Sequence, residues 1–172
     1  MTTMPTDGRQ RLVTWDDPQA TARAARGMAG LAFLRAVRDG ILPPPPVAAL
    51  LGFDLTEVEE GRVVMRLPPG EHLFNPLGSV HGGMIATLLD SVMGCAVHTT
   101  LPLGRFYTTL EFKVNFLRAV TQQAGAVSGE GRVVQSGRQV AVAEASLTGA
   151  DGKLYATAST TCLVFDLPKD AA

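Results

Sequence analysis

The sequence predicts an α+β domain in which a long antiparallel sheet curves around one buried helix. Two patterns carry this expectation. The stretch Gly82–Thr99 has apolar residues on most of the helical wheel (Met84, Ile85, Leu88, Leu89, Val92, Met93 and Val97), as in a helix enclosed by protein. Alternating segments lie on both sides of it, set apart by glycine and proline. At 172 residues, 46% hydrophobic and 18% charged, the chain suits one packed domain and not a disordered one.

Taken in order, residues 1–20 are polar and irregular and read as a loosely held tail. From about Gln19 to Asp39, Met28, Leu31 and Leu34 recur at helical spacing with Arg23, Arg26, Arg35 and Arg38 toward solvent, which predicts one amphipathic helix stopped by Gly40. Pro43 to Pro46 make a stiff extended spacer. After a short helical turn near Val47–Leu51, Phe53–Glu59 and Gly61–Leu67 read as a hairpin turning at Glu60-Gly61. Residues 71–81 form a loop into the central helix. Beyond it, Arg105–Leu117, Gln122–Val134, Arg138–Thr148 and Lys153–Phe165 predict a meander of long strands. In the first of these, Phe106, Thr108, Leu110, Phe112, Val114 and Phe116 alternate with Tyr107, Thr109, Glu111, Lys113 and Asn115, so the two sets are assigned to opposite faces, with Thr108 a polar exception among apolar residues. The organisation is thus 1–46 tail, helix and spacer, 47–166 main domain, and 167–172 C-terminal tail.

Composition narrows the function. A net charge of −1 and a pI near 6.3 give no general attraction for nucleic acid, and no basic patch stands out. Cys95 and Cys162 form no CxxC pair and read as two buried thiols. His72, His81 and His98 match no metal-ligand spacing, so no metal is expected. Asp7, Asp16 and Asp17 argue against a leader, no apolar run is long enough to cross a membrane, and the expected compartment is the cytoplasm. Neither Ser79 nor Ser91 has the Gly-x-Ser-x-Gly setting of a serine hydrolase.

The chemistry concentrates between Asn75 and Asp90. An aspartate amid Leu88, Leu89, Val92 and Met93 is expensive unless something uses or pairs it. Gly83, Thr87, Asp90 and Gly94 fall on one small-residue stripe. Either the stripe is one wall of a slot leading to the carboxylate, or a strand packs against it and Asp90 is merely hydrogen-bonded. Gly82-Gly83 at the helix start present free N–H groups at the positive end of the dipole, suited to a developing oxyanion.

Asn75-x5-His81-Gly82-Gly83-x6-Asp90, followed by a strand containing Tyr-Thr-Thr-Leu-Glu-Phe-Lys-Val-Asn-Phe-Leu-Arg, resembles the PaaI-type hotdog acyl-coenzyme A thioesterases over about residues 47–165. The resemblance implies a hotdog fold and hydrolysis of an acyl-CoA at a site shared between subunits. It implies that Gly82 N–H polarises the carbonyl and that Asp90 of the partner acts as general base or nucleophile. Asn75 and His81 would hold the loop and thioester, and Thr108 would orient water or else serve only as a strand former. Gly83 would lie beside the substrate. The turn Ser136-Gly137-Arg138 would be the first to meet the coenzyme A arm, with Arg118 second. A dimer or tetramer is implied, and no separate cofactor, since coenzyme A belongs to the substrate. A dehydratase or a non-catalytic acyl-CoA binder are the other readings.

Overall fold

The computed structural model describes residues 8–167. The first seven residues of the expected N-terminal tail, and all of the expected C-terminal tail but Leu167, lie outside them. Three helices come first, α1 (Pro18–Arg26), α2 (Gly30–Arg38) and α3 (Pro46–Leu51). The hairpin β1 (Asp54–Glu59) and β2 (Arg62–Leu67) precedes the central helix α4 (Gly82–Thr99). Then follow β3 (Arg105–Phe116), β4 (Val127–Ser136), β5 (Val140–Gly149) and β6 (Leu154–Asp166).

The six strands form one antiparallel sheet in the order β1-β2-β4-β5-β6-β3, with α4 against its inner face, as the predicted fold class requires. The helix is enclosed because its apolar residues point several ways. Leu88, Leu89, Val92, Met93, Ala96 and Val97 are all inaccessible to solvent, and they meet Val63, Leu67, Val127, Ala141, Ala143, Leu147 and Cys162 of the sheet. Burial of such side chains contributes about 1.5–3 kcal/mol each and holds the layers together. Helix and sheet backbones approach closely at Gly131 of β4, where an added Cβ would lie 2.4 Å from the Val92 carbonyl oxygen; only glycine lets the sheet wrap that tightly there.

Three expectations change. The single helix over Gln19–Asp39 is two helices broken at residues 27–29. Gly30 docks on the end of α4, its N–H donating to the Leu101 carbonyl at 3.1 Å, and a Cβ there would fall 1.8 Å from the His98 carbonyl oxygen. The chain bends to make that contact. Residues 8–17 form no helix or strand and are largely exposed, but two arginines tie them to the body: Arg9 pairs with Glu71 at 2.6 Å, and the Arg11 guanidinium donates to the Ala49 and Leu50 carbonyls, both at 3.0 Å, which the end of α3 leaves open. The strand expected from Gln122 begins at Val127, after a 3₁₀ turn at Gln122–Ala124 and Gly125 with φ +66°.

The fourth correction is inside β3. Its pairing with β6 runs Tyr107↔Val164, Thr108↔Leu163, Thr109↔Cys162 and then Glu111↔Thr161, so Leu110 is an extra, bulged residue. Beyond the bulge, Phe112, Val114 and Phe116 oppose Thr160, Ala158 and Ala156 on the inner face. Before it the alternation inverts: Tyr107 and Thr109 face α4, opposite buried Val164 and Cys162, while Thr108 sits on the outer face and is exposed.

Candidate active site

Asp90 lies halfway along α4 and is half-buried, and one of its carboxylate oxygens accepts a hydrogen bond from the Thr109 hydroxyl at 2.9 Å. The strand hydroxyl that meets Asp90 is thus that of Thr109 and not that of Thr108, because the bulge sets the parity of that half-strand. One turn after Asp90, Gly94 makes room for Tyr107, whose hydroxyl oxygen would be 2.5 Å from a Cβ at that position. Both readings of the stripe hold in part: a strand does pack on it, and the carboxylate keeps partial access to solvent. Thr87 of the stripe and Ser91 beside it bond back along their own helix, Thr87 to the Gly83 carbonyl at 2.9 Å and Ser91 to that of Thr87 at 2.7 Å.

Nearby groups are held neutral. Burial, helped by the negative charge of Asp90, pushes the Cys95 thiol up to about 12, and Cys95 and Cys162 are both free. Of the two, Cys162 is buried and Cys95 only half-buried, a partial departure from the expectation of two buried thiols. Burial also raises the Tyr107 phenol, with Cys95, Cys162 and Asp90 adding to the effect. Neither is a nucleophile at neutral pH.

At the other end of the helix, Asn75 folds its own loop. Its side-chain carbonyl accepts from Leu77 N–H at 2.9 Å and Ser79 N–H at 3.3 Å, and its amide donates to the Ser79 hydroxyl at 3.1 Å. His81 is the N-cap of α4, with Nδ1 accepting from Gly83 N–H at 2.9 Å and its own N–H donating to the Leu73 carbonyl at 2.7 Å. The Gly83 donor is thus consumed. The Gly82 N–H, at the first helical position, meets no acceptor among the described residues. It opens on a cleft of about 310 Å³ lined by Asn75, Ser79, Phe116 and Arg118, and a Cβ on Gly82 would be 3.2 Å from the Phe116 ring.

Arg118 thus shares the Gly82 cleft, whereas the Ser136-Gly137-Arg138 turn does not. Ser136 Oγ lies 3.0 Å from Thr100 Oγ1, beyond the C-terminus of α4, about 27 Å from Gly82 by the helical rise. Gly137 N–H closes the turn on the Val140 carbonyl at 2.8 Å, and the Arg138 carbonyl is taken by the Arg105 guanidinium. Within one protomer, Gly82 and Asp90 are themselves eight residues, or about 12 Å, apart along the axis. Thr109 and Tyr107 are the site-lining residues that sequence reasoning missed, and no sequence signal marks the bulge that turns them inward.

The thioesterase superfamily matches residues 77–156, a span that holds His81, Gly82, Asp90 and Thr109. An esterase candidate of Saccharolobus solfataricus is 30% identical over 125 residues, which are 73% of this chain and 87% of that protein. Among solved structures, a phenylacetic acid degradation-related protein of Ralstonia eutropha is 33% identical with a TM-score of 0.69, over 76% of this chain and 98% of that one. A Streptococcus mutans protein solved with acetyl-CoA bound is 29% identical with a TM-score of 0.62, over 68% of this chain and 91% of that one. The sheet order, the enclosed helix and these likenesses agree: the chain belongs to the thioesterase superfamily, as a hotdog-fold hydrolase of PaaI type that acts on thioesters.

Proposed function

We propose that the protein hydrolyses an acyl-CoA to the free acid and coenzyme A at sites built by two copies of the chain. The observation that carries this is the spacing on α4: an unpartnered Gly82 N–H and a half-exposed, Thr109-held Asp90 lie about 12 Å apart, too far to serve one carbonyl. A second copy brings its own Gly82 to the first copy's Asp90. β3 supports such pairing, since it is an edge strand of the sheet and leaves Leu110, Phe112 and Phe116 exposed, as is Leu117 just after it.

In this scheme the thioester oxygen rests on Gly82 N–H, where one such donor contributes about 2.7–4 kcal/mol to the transition state. Asp90 takes a proton from water as its oxygen attacks the carbonyl carbon; the C–S bond then breaks and the coenzyme A thiolate leaves, to be protonated. Direct attack by the carboxylate through an anhydride is the alternative step. Single turnover in ¹⁸O-water separates them, because only the anhydride route leaves label in Asp90. Asn75 and His81 hold the oxyanion loop, and Gly83 lets substrate come near it. Arg118, beside Gly82, is the first candidate for the coenzyme A phosphates and Arg138 the second. The acetyl-CoA bound to the S. mutans relative supports a coenzyme A ester as substrate.

The test is a thiol-release assay over a panel of coenzyme A esters with the wild type and Asp90→Asn. The variant should fold and lose about 10²–10⁴ in kcat, since an amide keeps the shape but cannot take the proton. Retained turnover would remove Asp90 from the chemistry. A change in enoyl absorbance without thiol release would mark a dehydratase instead.

A further inference from the structure

A cavity of about 350 Å³ lies where the N-terminal helices meet the core. Its outer wall is Phe33, Val37 and Arg38 of α2 and Pro45 of the spacer, its inner wall is Cys95 and His98 of α4 and Tyr107 of β3, and Asp54 of β1 also lines it. The inner wall adjoins Asp90. Tyr107 points inward two residues before Thr109, which bonds the carboxylate, and its hydroxyl covers Gly94, one turn from Asp90. The inner wall is also uncharged at neutral pH, as burial raises the Cys95 thiol and the Tyr107 phenol and lowers the His98 imidazole. The inner wall suits an apolar guest, while the charged Arg38 and Asp54 lie elsewhere on the lining. The cavity's volume is about twice that of an apolar cavity that holds benzene, roughly 150 Å³, so acetyl would leave it nearly empty.

We propose that this cavity receives the apolar tail of the acyl group, so that α2 and the proline spacer set acyl selectivity. Both lie outside residues 77–156, the span matched by the superfamily. The inference rests on the thioesterase reading above and adds the size and character of the acyl group.

Two measurements test it. The first compares kcat/KM for acetyl-, octanoyl- and 2-naphthylacetyl-CoA in the wild type and in Val37→Trp, which puts an indole into the cavity from its outer wall. The wild type should favour one or both large esters, and the variant should lower the ratio of large to acetyl at least tenfold. An unmoved ratio overturns the proposal. The second needs no turnover and serves equally if Val37→Trp does not fold: octanoate and 2-naphthylacetate are titrated into the wild type while the His98 imidazole is followed by NMR. A saturable shift is expected, and its size with each acid tells an alkyl from an aryl tail. No shift with either overturns the proposal. If no ester is hydrolysed while the His98 signal still moves, the hydrolase reading has failed and the apolar cavity stands.

Discussion

In the proposed reaction, Thr109 and Asp90 set the chemistry at the residue scale. A hydroxyl donating to one carboxylate oxygen fixes the rotamer of Asp90 and leaves its other oxygen for a reacting water. A hydrogen bond to a charged group contributes about 1.5–3 kcal/mol, so Thr109→Val should lower kcat by about ten to a hundredfold. Thr108→Val, on the outer face, should stay within about twofold. Steady-state thiol release on the two variants decides, and the opposite ranking would return the role to Thr108. Asp90 was legible in the sequence because a carboxylate among leucines is expensive enough to need a reason. Gly82 was legible because the first helical turn always leaves N–H groups open. That His81 would consume the Gly83 donor and leave the Gly82 donor free depends on cap geometry, and spacing does not report it.

Among elements, the junction of α2 with the end of α4 has the largest consequence. His98 is packed by the rings of Phe33, Phe106 and Tyr107 at centroid distances of 5.5–5.7 Å, and burial lowers its pKa. The sign follows from linkage: the unfolded chain binds the His98 proton more readily than the folded one, so stability is full above the unfolded value of about 6.5 and falls as pH drops through it. Denaturant midpoints should therefore fall between pH 7.5 and 5.5, and His98→Gln should fall less. Parallel curves for the two proteins would show that His98 carries no such linkage. The central helix and the hairpin were legible because each is written in local periodicity and turn residues. The break between α1 and α2 was not, since Gly30 is required by a carbonyl 68 positions away at His98, and the helical spacing of Met28, Leu31 and Leu34 runs straight through it.

For the whole molecule the question is where one site ends and the next begins. In the proposed pair, each site takes its donor from one chain and its carboxylate from the other. Gly82→Pro removes the N–H at the first helical position, where proline fits, and Asp90→Asn removes the base. Each variant alone should be inactive. Mixed and reassociated at equal amounts, half of the pairs carry one whole site of two, so about a quarter of wild-type activity should return. No recovery, with mixed pairs shown by mass spectrometry, would sink the shared site. The expectation of a partner came from long strands with an edge to cover; that β3 is such an edge follows from the sheet order, and how its faces fall there depends on the bulge.

That bulge makes inward and outward a matter of counting, because one extra residue at Leu110 swaps odd for even along residues 105–109. The segment Phe106-Tyr107-Thr108-Thr109 is two aromatics followed by two threonines. Under either parity, the strand sets one aromatic ring and, two residues later, one threonine hydroxyl on its inner face, and Phe106 already reaches the His98 end of α4 from its present position. The four residues are therefore a duplicated word that reads alike in both frames. Losing Leu110 would trade Tyr107 and Thr109 for Phe106 and Thr108, keeping a hydroxyl near Asp90 and removing only the phenol oxygen over Gly94. Chains with and without the extra residue can thus share one chemistry on threonines of different number, and alignment by position alone would pair the wrong two.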